Sequence, residues 1–165
     1  MKIICAFGIL ACLLATTSLM SSDNQNAIEK DYALFNGVWA FDLVEVDGAK
    51  QPDVPFETNR MIVVSAERRF IVVQGKKITR GSFTMDATKT PKQIDIIATN
   101  SQGKSLTTLA IYELEGDTYK VCSSFQSNER PMEFLREPGS KTVFEVLKRS
   151  NQSVQDALAE VPEKE

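Results

Sequence analysis

From Gly37 onward, hydrophobic and polar residues alternate in short runs broken by turn residues. The runs at 38–46, 60–66, 69–74, 78–85, 93–99, 106–114, 118–125 and 142–149 are rich in Val, Ile, Thr, Phe and Tyr and read as strands, with a shorter one expected at 132–136. Asp47-Gly48, Gln74-Gly75, Glu115-Gly116-Asp117 and Pro138-Gly139-Ser140 supply turns between them. Links this short join antiparallel neighbours, because parallel strands need a crossover. A period of two puts Trp39, Phe41 and Leu43 on one face of the first strand and Ile94, Ile96 and Ala98 on one face of another. Tyr119, Val121 and Phe125 share a face opposite Lys120 and Ser124. Eight or nine such strands close into a barrel or fold over as a sandwich. Sequential hairpins favour an all-β, antiparallel up-and-down barrel, which also removes exposed edges.

Two helical patterns flank the strands. Residues 24–36 form a short lead-in whose Leu34 and Phe35 face the body. At the other end, Val154, Ala157, Leu158 and Val161 recur at helical spacing between Ser153, a cap candidate, and Pro162, a stop. That tail is either a short docked helix or a frayed, solvated segment.

The first residues point to export. Met1-Lys2 is a short positive region, Ile3 to Leu14 is almost wholly apolar, and small and polar residues follow. This is the layout of a cleaved signal peptide. The uncharged run from Ile3 to Ser22 approaches the roughly 20 apolar residues of a membrane span, but its second half carries Thr16, Thr17, Ser18, Ser21 and Ser22. It also has no basic residue on its far side, so cleavage is the better reading. Lipidation at Cys12 is a weaker alternative, since Leu10 stands where a lipobox has a small residue. The expected organisation is a signal peptide at 1–22, a helical lead-in at 23–36, a barrel at 37–149 and a tail at 150–165. The protein is expected to be periplasmic or secreted and monomeric, with no membrane span after cleavage.

Removing the leader leaves about 140 residues, enough for one domain burying roughly two-thirds of its unfolded surface. Cys5 and Cys12 leave with it, so Cys122 has no internal disulfide partner and the fold must stand on its core. The chain's net charge is −3, and cleavage takes one lysine and no acid. A mildly acidic domain exerts no long-range pull on phosphate backbones or anionic lipid, so nucleic acid and membrane surfaces are not expected partners.

Gly37-Val38-Trp39 opens the first strand and Lys148-Arg149 closes the last. This pairing resembles the lipocalin-like (calycin) pattern, in which a Gly-x-Trp at the start of the barrel is covered by a basic side chain from the final strand. The resemblance implies a cation–π contact, with guanidinium hydrogen bonds closing the barrel bottom. A wider ordered set follows: Phe35-Asn36-Gly37-Val38-Trp39, Glu45-Val46-Asp47-Gly48, Gly81-Ser82-Phe83, Asp86 through Asp95, Ile111 through Cys122, Arg130-Pro131-Met132-Glu133-Phe134 and Val146-Leu147-Lys148-Arg149. As a set it is similar to a family of uncharacterised secreted domains common in Planctomycetes, with a lipocalin-like barrel. Ala110 stands where that family has Gly. The resemblance implies fold and export, and nothing about catalysis.

Candidate chemistry is sparse. The chain has no histidine, which excludes Ser-His-Asp and Cys-His arrangements and removes the commonest general base. Cys122 shares a strand face with Lys120 and reads as a strand cysteine, partly exposed at most. Asp47, Asp86 and Asp117 sit in turns, where Asp serves its own backbone, and Asp95 and Glu113 are expected on wet faces. No metal-ligand spacing and no phosphate-cradling loop is present, so no cofactor and no enzymatic activity are expected. Arg68, Arg69, Lys76, Lys77 and Arg80 decorate two adjacent hairpins as a basic patch.

Two roles remain. A barrel of eight strands has room for one small apolar or amphipathic ligand; its inward candidates are Phe41, Ile62, Val64, Phe83, Ile96, Tyr112 and Phe125. Arg130 is either at the mouth, holding a carboxylate or sulfate, or paired with an acid such as Asp95 while Phe134 plugs the core. The alternative role is a filled barrel that serves as an interaction or scaffold domain of the cell envelope, working through the loops at 52–59 and 126–131.

Overall fold

A computed structural model describes residues 22–53, 55, 58–99, 103–125 and 129–162. The expected leader lies outside them except for Ser22, as do parts of the 52–59 and 126–131 loops. The chain order is α1 (Ser22–Phe35), β1 (Gly37–Val46), β2 (Ala49–Lys50), β3 (Asn59–Val64), β4 (Arg69–Gln74), β5 (Lys77–Asp86), β6 (Lys92–Thr99), β7 (Ser105–Glu115), β8 (Thr118–Ser124), β9 (Thr142–Arg149) and α2 (Val154–Ala159). Every pairing is antiparallel between neighbours in the order β1-β3-β4-β5-β6-β7-β8-β9, and β9 returns to pair with β1. Eight strands therefore close an up-and-down barrel. β2 is a two-residue addition outside it, joined to β1 through the Asp47-Gly48 hairpin.

The 132–136 segment is not a strand. It belongs to an irregular strap crossing the outer face of β7, β8 and β9, held where Thr142 donates its hydroxyl to the Leu135 carbonyl (2.9 Å). Phe134 packs edge-on against Phe144, so it covers an outer cluster with Ile111 and Cys122 rather than plugging the interior. A strap residue with an apolar side chain every second position mimics a strand in the sequence, yet no neighbour pairs with it.

One register shift changes which side chains point in. Phe41 pairs with Leu147 and Leu43 with Val146, so Asp42 is the extra residue of a β-bulge. The bulge reverses the alternation: Trp39 and Phe41 face inward, while Leu43 turns out to the cluster under the strap. Val44 now stands opposite Glu145.

α1 is a plug. Ile28, Asp31, Tyr32 and Phe35 recur at helical spacing, and the last three are buried against the inner cluster, with Tyr32 stacked on Phe83 at 5.8 Å. α2 resolves the tail as a docked helix: the Ser153 hydroxyl caps it by accepting from the Asp156 amide (3.1 Å), and Ala157 is buried between Val38 and Ile62 on the barrel's outer face. Among the described residues, no helix is long and apolar enough to cross a membrane.

Candidate functional site

The end of the barrel under α1 is sealed. Trp39 is fully buried and donates its indole N–H to the Phe35 carbonyl (3.0 Å). Arg149 lies over its ring at 4.3 Å and donates to the carbonyls of Asn36 (2.8 Å) and Leu34 and to the Asp117 carboxylate (3.0 Å). Gly37 makes room for this: its φ is +147°, and a Cβ there would sit 2.6 Å from Arg149 Nη1. On the opposite side of the seal, the buried Asp31 carboxylate accepts from Lys92 Nζ (2.8 Å) and the Tyr112 hydroxyl (2.7 Å). Burial and that carboxylate push the Tyr112 phenol well above the usual range. Both arrangements satisfy the backbone and side-chain groups that docking α1 takes out of water.

Above the seal the barrel is hollow. A cavity of about 170 Å³ runs from Phe35 at α1 toward Gln74 at the far end of β4. Its walls are apolar and aromatic, with Phe41, Met61, Phe70, Phe83 and Ile96 contributing from five strands. Three polar-tipped side chains also line it: Gln74, Tyr119 and Glu145.

Glu145 is the unusual member. It sits inward on β9 between Val121 of β8 and Val44 of β1, and no described residue bonds or ion-pairs with its carboxylate. The residue is half-buried, and desolvation by the surrounding strands pushes its pKa up from 4.5 to about 7. Nearby, Asn59 of β3 is registered against Gln74; its side chain is buried and its Oδ1 has no hydrogen-bond partner. Among the described residues neither acceptor is bonded, although the Gln74 amide and the Tyr119 hydroxyl, both potential donors, line the same cavity. Neither residue stands out from sequence pattern, because an acid is expected on the wet face of a strand. The signal was present in β9, where Glu145 keeps the period-two phase of Val143 and Leu147.

The sequence-selected residues divide. Phe41, Phe83 and Ile96 line the cavity. Tyr112 is inward and buried, but its hydroxyl is committed to Asp31 in the seal. Ile62 is on the outer face under α2, and Val64 borders an outer groove beside Leu158. Residues 59–63 of β3 are buried on both faces because α2 covers the outside, and such a run gives no alternation to read. Phe125 lies just past the end of β8 and is 46% exposed.

Arg130 is not at the mouth. It donates to the carbonyls of Ile94 and Ala110 and pairs with Asp95 on the outer face, anchoring the start of the strap. At the strap's far side Arg136 grips Glu45 with two hydrogen bonds (2.7 and 2.8 Å) and lies over Phe144 at 4.8 Å, which holds the Glu45 carboxyl below its ordinary range. Cys122 is fully buried beneath the strap, not partly exposed, and burial raises its thiol pKa. The basic patch is also broken up: Arg68 lies over Tyr32, Arg69 pairs with Glu67 (2.6 Å), and Arg80 donates to the Pro162 carbonyl (3.1 Å).

The fold and site together define a closed antiparallel barrel, plugged at one end by a helix, with a small, largely apolar cavity that bears one carboxyl among the described residues. Compared with family models, curated proteins and solved structures, the chain has no match.

Proposed function

We propose that this protein is an exported, non-catalytic binding barrel, similar to the secreted lipocalin-like domains named above, whose interior holds one small apolar or amphipathic molecule. The cavity carries this reading. A cavity of about 150 Å³ accepts benzene, so about 170 Å³, open at its exposed Gln74 end, suits a body of roughly one ring. The walls are the large apolar side chains expected of a small-molecule site, with a few convergent polar groups to fix orientation. Among the described residues Glu145 faces no second carboxylate across the cavity, and glycoside hydrolysis needs two, so the carboxyl is read as a binding group.

A scaffold role is the second reading, with the strap, from which Met132 projects 75% exposed, and the outer loops as its working surface. A native mass spectrum of the protein purified gently from its source cells separates the two. The binding reading expects a discrete added mass that is lost on denaturation, on a polypeptide shortened by its leader. A bare polypeptide mass would point to the strap and the outer loops, and an uncleaved chain would remove the export reading.

A further inference from the structure

We propose that the cavity selects a small amine, with an apolar body of about one ring against the aromatic wall and an ammonium group donating to the Glu145 carboxylate. The inference rests on the binding reading above and adds the ligand's charge. A carboxylate inside an apolar barrel costs stability unless it is paired, and nothing among the described residues pairs with Glu145. Its strand neighbours are Val44, Val121, Val143 and Leu147. Across the cavity, Phe70, Phe83 and Ile96 offer no donor, and the neutral donors in the lining, the Gln74 amide and the Tyr119 hydroxyl, carry no charge to balance a carboxylate.

Of the charged groups on the strands beside Glu145, Glu45 holds Arg136, Lys120 holds Glu113, Lys148 donates to Thr118 and Arg149 lies in the seal, while Asp42, the bulge residue, is exposed. Among the described residues, Tyr119 is the other titratable side chain in the lining, and burial keeps its phenol protonated. A bound cation is therefore the charge complement the barrel itself omits. An anionic ligand would meet a like charge in a low-dielectric space and be rejected.

The probes are toluene, benzylamine and benzoate, titrated calorimetrically into the full chain and its Glu145→Gln variant. At pH 8 benzylamine is expected to bind about tenfold or more tighter than toluene, the scale of a charge-assisted hydrogen bond, and benzoate not at all. Glu145→Gln should abolish the amine preference while leaving toluene affinity within about twofold. Binding requires the ionised carboxylate, so the amine's affinity should fall as pH drops below about 7, by up to about tenfold per unit. Toluene binding with no amine preference, or a preference that survives Glu145→Gln, overturns the amine inference and leaves the cavity reading intact. Failure of all three probes overturns both.

Discussion

Arg149 covers Trp39 at 4.3 Å while its three nitrogens reach the Asn36 and Leu34 carbonyls and the Asp117 carboxylate, so one side chain ties the last strand, the first strand and α1 together. Only a planar guanidinium serves all four partners. Arg149→Lys keeps the charge and loses the fork. It is expected to cost about 2–3 kcal/mol in urea unfolding, since two buried-end carbonyls lose a charge-assisted donor. A cost below about 0.5 kcal/mol, the scale of an ordinary surface change, would mean that α1 is held by apolar packing alone.

Asp31 is a second tie between α1 and the barrel, and it carries its own prediction. Asp31→Ala leaves the Tyr112 hydroxyl buried without its acceptor and releases Lys92, an expected loss of about 2–4 kcal/mol. In the Asp31→Ala background, Tyr112→Phe should cost less than it does in the natural protein, because it removes the orphaned hydroxyl. Equal costs in both backgrounds would show that the two residues are uncoupled.

Most of the architecture was legible in alternation and turns. All eight barrel strands were expected within a few residues of their ends, because each half-buried strand repeats the same two-residue period between strong breakers. The interior was less legible, for three physical reasons. The bulge at Asp42 is silent, since Phe41-Asp42-Leu43 alternates perfectly while the backbone reverses the face. β3 is apolar on both faces because α2 lies over it, so Ile62 and Val64 looked inward when Met61 and Val63 are. The strap's covering of Cys122 is a tertiary event that no local pattern in β8 announces.

That covering makes the thiol testable. With its strand neighbours and the strap excluding water, and with burial opposing the thiolate, Cys122 should resist alkylation in the folded protein and react once the chain is unfolded in urea. Peptide mapping after iodoacetamide treatment reads Cys122 separately from Cys5 and Cys12. Loosening the strap with Arg136→Ala, which removes the clasp on Glu45, should speed native-state labelling while leaving most of the global stability in place. Fast labelling of the natural protein would mean that the strap opens readily.

Glu145 gives the fold a pH dependence that needs no ligand. Its carboxyl titrates near 4.5 when exposed in the unfolded chain and near 7 in the barrel, because the folded site is desolvated and unpaired. Between those values the folded state holds the proton more tightly than the unfolded state. The stabilising contribution is therefore complete below about pH 4.5 and is lost as pH rises through about 7. By pH 8 the loss amounts to up to about 3 kcal/mol. Glu145→Gln keeps the shape and carries no titrating proton, so it should be nearly as stable as the natural protein at pH 5 and more stable at pH 8. Taking the difference between the two proteins at each pH cancels every other titrating group. An unchanged difference from pH 5 to pH 8 would show that water solvates the carboxyl inside the barrel, and the cavity would then be a wet polar space rather than a dry apolar one.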